Sequence, residues 1–214
     1  MAAELGESRP GVNCSAGMAW CWMLMTAAAR ANSNEDGSAL QAGDAAQRMR
    51  QMVQQHVAFV WRSLRRLGVP ESEADDGVQQ VFMVAMRRLP ELVTGRERAF
   101  LFATVQRIAS RAHRTRRRRR EQLDEDLDER SGGGIDPHAL LDQAQTKEIV
   151  YQLLDRLAIE QRSVFVLYEI DGLTMAEIAS MLDLKPGTVA SRLRLAREQF
   201  ANLVHRLQEG RVMG

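Results

Sequence analysis

From Asp44 onward, apolar residues recur at helical period. Val53, Val57, Val60, Leu64 and Leu67 follow one another at steps of 4, 3, 4 and 3, which lines them along one stripe of an amphipathic helix. Gly68, Val69 and Pro70 end that stripe. Ser72, with Asp75 three residues on, has the form of a capping box with Asp in place of Glu, and it predicts a second helix carrying Val78, Val81, Phe82, Ala85 and Leu89 on one face. Pro90 stops it. Beyond a polar loop around Thr94 and Gly95, Leu101, Val105, Ile108 and Ala112 mark a third helix that runs into the arginine-rich stretch Arg114 to Arg120. Three helices with short connections predict one small helical domain.

The pattern breaks between Glu121 and Gln145, where the run EDLDER, the triplet Gly132 to Gly134 and Asp136-Pro137 predict an acidic flexible linker. Helical spacing returns with Ile149, Val150, Leu153, Leu154 and Leu157, and again with Val164, Phe165, Leu167 and Tyr168, a helix ended by Asp171-Gly172. Thr174 is a good N-cap, and Glu177 completes a capping box for a short helix holding Ile178, Ala179 and Leu182. Pro186 suits the first turn of the next helix, and Gly187 leaves that N-terminus open to a phosphate. Val189, Leu193 and Ala196 face inward there, which places Thr188, Ser191, Arg192, Arg194 and Arg197 on outward or flanking positions. A short helix, a tight turn and a basic second helix form the helix-turn-helix arrangement, whose second helix enters the DNA major groove. An ordinary helical hairpin shares the spacing, and a solvated helix end is the plainer account of any arginine run. Position favours function here, because the run continues a packed helix and precedes an acidic segment able to fold back and screen it.

At 214 residues the chain fits two small domains better than one large one. Hydrophobic residues make up 45% and charged residues 27%, the balance of a soluble globular chain, while 5% aromatics and few β-branched runs outside helical spacing argue against sandwiches and barrels. The expected fold is all-α: a loose tail over 1–43, a helical bundle over 44–120, the linker over 121–145 and a helix-turn-helix domain over 146–209.

A net charge of +1 conceals strong segregation. Ala46 to Arg120 holds 17 arginines and no lysine against six acidic residues, whereas Glu121 to Gln145 holds eight acidic residues against one arginine. Arginine's planar fork grips phosphate and carboxylate, so nucleic acid heads the expected partners. Cys14 and Cys21 match no usual zinc spacing and read as free thiols in a reducing cytoplasm. The longest largely apolar stretch, Met18 to Ala29, is far short of the roughly 20 residues of a spanning helix, and it lacks the positive start of a signal peptide. His56, His113, His138 and His205 are scattered, and no nucleophile-base pair, carboxylate cluster or glycine-rich phosphate loop stands out. No enzyme activity, cofactor, metal site or membrane insertion is expected.

From Asp44 to Leu207 the chain resembles the bacterial RNA polymerase sigma factors of the small extracytoplasmic-function type, sigma-70 family group 4. The stretch LRRLGVPESEADDGVQQVFMVAMRRLP is similar to the family's region 2, in which an acidic pair precedes a Val-Gln-(Glu/Gln)-Val-Phe core. The stretch LAIEQRSVFVLYEIDGLTMAEIASMLDLKPGTVASRLRLAR is similar to region 4. The resemblance implies that Asp75, Asp76, Gln79 and Gln80 bind the polymerase clamp, with Phe82 in the core. It implies that Thr188, Ser191, Arg192, Arg194 and Arg197 meet the upstream promoter element, and that Arg96, Arg98, Arg107, Arg111 and Arg114 lie beside the opened strand of the downstream element. Core RNA polymerase (clamp and flap), promoter DNA and an anti-sigma factor are the implied partners, in the cytoplasm. The chain departs from the family at Thr104-Val105, where a Trp-Leu pair is frequent, at Thr115 in place of Asp, and at Ala190 in place of Lys. The rival readings are a stand-alone helix-turn-helix regulator and a non-initiating adaptor derived from a sigma factor.

Overall fold

The computed structural model describes residues 36–124 and 143–212. Every regular element among them is helical: α1 Asp36–Arg66, α2 Glu71–Arg87, a 3-10 turn Leu89–Glu91, α3 Glu97–Asp124, α4 Gln143–Asp155, α5 Ile159–Phe165 continued by a π turn Val166–Ile170, α6 Met175–Leu182 and α7 Pro186–Val212. The two cysteines, the apolar stretch 18–29 and linker residues 125–142 lie outside the described residues. The described residues fall into two units, divided between Arg48 and Met49, of which the second is compact. In the first, helix begins at Asp36, within the stretch expected to be a loose tail.

In the compact unit the sequence stripes become the core. Val60, Leu64 and Leu67 of α1 and the turn after it pack with Val81, Phe82 and Ala85 of α2 and with Leu101, Phe102 and Val105 of α3, all buried. α1 and α2 approach closely at Gly77, where a Cβ would stand 2.9 Å from Leu64 Cδ1. The Phe59 and Phe102 rings tie α1 to α3 at 6.2 Å between centroids. A second apolar cluster joins Leu154, Leu157, Phe165, Val166 and Ala196, with Phe200 resting on Phe165 at 4.9 Å.

Helix starts divide between expectation and correction. Thr174 caps α6 through a complete capping box: its hydroxyl accepts from the Glu177 amide, and the Glu177 carboxylate accepts from the Thr174 backbone amide at 2.8 Å. Ser72 caps nothing. Gly68 at φ +91 turns the chain, and Pro70, with φ −57 and ψ 153, delivers it into α2 at Glu71, so Ser72 is already helical. Glu71 and Glu73 in that first turn complement the helix dipole instead.

Candidate functional site

Asp75, Asp76, Gln79 and Gln80 lie on one broad side of α2, within an arc of about 140° at 3.6 residues per turn. Asp75, Asp76 and Gln80 are exposed, Gln79 is half-buried, and Phe82 lies in the core beneath them. Sequence reasoning missed Trp61 of α1, whose Nε1 donates to Asp75 Oδ1 at 3.1 Å and fixes one edge of this surface.

The arginines around α3 fall into two groups. Arg107, Arg111 and Arg114 are exposed at helical steps of 4 and 3 and form a basic stripe. Arg98 lies nine residues before Arg107, about half a helical revolution away, and its guanidinium sits 4.5 Å from the Phe59 ring centroid beside His56. Burial lowers the His56 pKa below 6.5; Glu97 opposes that shift and Arg98 reinforces it. Arg96 is exposed in the loop that enters α3.

On α7 the buried side comprises Val189, Leu193 and Ala196. Ser191 and Arg194 point outward, and Leu195 beside them is 38% exposed. Arg194 pairs loosely with Glu198 at 3.4 Å. Thr188 and Arg192 stand on one flank, half-buried, and Arg197, about half a revolution from Thr188, stands on the other. Arg197 Nε donates to Glu169 Oε1 at 2.6 Å and its guanidinium lies over the Tyr168 ring, so the π turn before α6 holds it in place. The Glu169 hydrogen bond is the main cause that raises the Arg197 pKa.

Region by region, this arrangement matches known families. The Sigma-70 region 2 family model covers residues 52–119, and the Sigma-70, region 4 model covers residues 147–200. The chain is 31% identical over 151 residues to the ECF RNA polymerase sigma-E factor of Escherichia coli strain K12, across 65% of this chain and 78% of that protein. The chain belongs to the extracytoplasmic-function sigma factors of the sigma-70 family. A similar relative, the ECF RNA polymerase sigma factor SigE of Mycolicibacterium smegmatis, is 30% identical over 151 residues, covering 70% of this chain and 59% of SigE, so the chain spans about three fifths of that relative's length. CnrH, solved in complex with the cytosolic domain of CnrY, shares the fold at TM-score 0.51 and 24% identity, over 86% of this chain and 96% of that one.

Within the compact unit, the region 2 and region 4 segments of this sigma factor are tied by polar interactions that the sequence did not announce. Arg66 donates to Asp171 in a largely buried ion pair, and Arg116 donates to the Gly68 carbonyl. Arg65 donates to the Val69 carbonyl at 2.9 Å, reaches Glu148 at 3.4 Å and stacks over Tyr151. Gln106 of α3 donates to Ser163 of α5 at 3.1 Å. Arg162, 1% exposed, pairs with Asp155 at 2.6 Å; burial lowers its pKa and Asp155 offsets part of that. Thr104 is 4% exposed with its hydroxyl donating to the Phe100 carbonyl, so it offers no stacking surface. Among the described residues no helix is long and apolar enough to cross a membrane, and no His, Cys, Asp and Glu cluster could hold a metal ion.

Proposed function

We propose that this sigma factor binds core RNA polymerase in the cytoplasm and directs promoter-specific initiation, with no bond-making chemistry of its own. Residues 44–120 act as the region 2 module and residues 146–209 as the region 4 module. The α2 face of Asp75, Asp76, Gln79 and Gln80 binds the polymerase clamp, and the region 4 module sits at the flap. Thr188, Ser191, Arg192 and Arg194 meet the upstream element in the major groove, with Arg197 joining once it leaves Glu169. Arg96, Arg98, Arg107, Arg111 and Arg114 hold the opened strand of the downstream element. Phosphate contacts position the protein and a few base contacts discriminate, at about 1 to 3 kcal/mol for each good bidentate pair. With Thr104 buried, strand capture relies on arginine and phosphate more than on aromatic stacking, which makes it strongly salt-dependent. An anti-sigma factor is the expected inhibitory partner.

The observation that carries this reading is the presence, in order on one chain, of an exposed acidic and amide face on α2 and a capped helix-turn-helix with outward arginines. Promoter-fragment binding measured with and without core polymerase tests it. Specific binding that requires the polymerase is expected. Specific binding by the protein alone would favour the stand-alone regulator.

A further inference from the structure

The α3 side that bears Arg107 and Arg114 opens on a cleft of about 510 Å³, whose opposite wall is Leu157, Ile159, Glu160 and Arg162 at the start of α5. Arg107 and Arg114 thus face one carboxylate, Glu160, while Arg162 on that wall is paired with Asp155. Arg107 and Arg114 are exposed and have no partner among the described residues, unlike Arg197, which Glu169 holds. Arg162 is buried, and while its Nη1 is taken by Asp155, its Nε finds no acceptor.

The dimensions of the cleft narrow the ligand. Arg107 and Arg114 are seven residues apart, so their Cα atoms are separated by about 10 Å along the helix axis. That interval is long for a single phosphate and suits a chain of two or three. The volume falls in the range of about 300 to 1,000 Å³ common to small-molecule sites, and Ala158 and Ile159, beside the buried Leu157, give one wall an apolar surface against which a flat ring can lie. We propose that the cleft between α3 and α5 is a nucleotide site, in which Arg107 and Arg114 hold a di- or triphosphate and the Leu157–Ile159 wall takes the base.

The site joins a region 2 helix to a region 4 helix, so an occupant stabilises their packed arrangement by mass action. Arg107 and Arg114 also belong to the set proposed to hold the opened promoter strand. A bound nucleotide therefore competes with that strand for the same two side chains. This competition rests on the strand-capture reading; nucleotide binding does not.

Calorimetric titration of the full chain with GTP, ATP and inorganic tripolyphosphate at physiological salt tests the assignment. Saturable one-to-one binding of a nucleotide is expected, tighter than that of tripolyphosphate. The Arg107→Gln, Arg114→Gln double variant should weaken affinity about tenfold or more, as removal of two charge-assisted hydrogen bonds implies. Arg87→Gln with Arg206→Gln removes the same charge from exposed sites elsewhere and should leave affinity nearly unchanged. Equal weakening in the two double variants would reduce the effect to diffuse attraction and overturn the site, as would the absence of saturable binding by any of the three probes. Tripolyphosphate binding as tightly as the nucleotides would overturn the base-binding wall. Thermal melting confirms that each variant folds. The titration contains no polymerase, so its failure is read separately from a failure of the sigma-factor reading.

Discussion

Gly68 is constrained twice. Its φ of +91 is a region that side-chain-bearing residues rarely occupy, and a Cβ there would collide with the paired Asp155 and Arg162 side chains. Gly68→Ala is expected to destabilise the protein by about 1 to 3 kcal/mol, the range of strained backbone positions; an unchanged denaturation midpoint would contradict the close approach. His56 provides a pH test. In the unfolded chain its imidazole takes up a proton near 6.5, and in the native protein it does so at a lower pH. Between those values the unfolded state binds more protons, so native stability falls as pH drops below about 6.5. Thermal melting from pH 7.5 to 5 should show that fall, and His56→Gln should make it shallower; an identical slope in the variant would show that burial of His56 contributes nothing. Arg197 could be named from the sequence as a flanking cation. Its engagement by Glu169, 28 residues earlier, could not, because nothing local records which distant carboxylate a long side chain meets.

At the scale of elements, apolar stripes at steps of 3 and 4 announced α1, α2, α3 and α7, since that periodicity is set by local geometry. The Thr174 and Glu177 cap was legible for the same reason, while the Ser72 cap was not realised because Gly68 and Pro70 set the start of α2 one residue ahead of it. The π turn at Val166–Ile170 left no mark in the sequence. Two paired substitutions separate the element roles proposed above. Asp76→Ala with Gln80→Ala, exposed on α2, should weaken association with core polymerase first, as read by co-purification or fluorescence anisotropy. Arg192→Ala with Arg194→Ala should weaken use of the upstream element by about 1 to 3 kcal/mol for each side chain that reads a base, with polymerase association retained. Failure of polymerase association in the arginine pair, or its retention in the α2 pair, would reverse those roles.

In the molecule as a whole, helical stripes on either side of the acidic segment 121–145 predicted two modules, and the region 2 and region 4 family models match residues 52–119 and 147–200 in that order. Their packing into one unit was not legible. It depends on interactions between residues far apart in sequence, Arg65 with Glu148 at a separation of 83 and Arg66 with Asp171 at 105, together with the bare backbone at Gly68. Periodicity carries no information at such separations. The polar ties also place the α3 arginine stripe beside region 4, which no reading of either half alone would supply. The sigma-factor assignment is tested most directly by run-off transcription with purified core RNA polymerase reconstituted with this chain, with start sites mapped on a genomic promoter library. Discrete starts that share an upstream and a downstream element, and that vanish when the chain is omitted, are the predicted result. A stable complex with polymerase that yields no chain-dependent start on any promoter would contradict it.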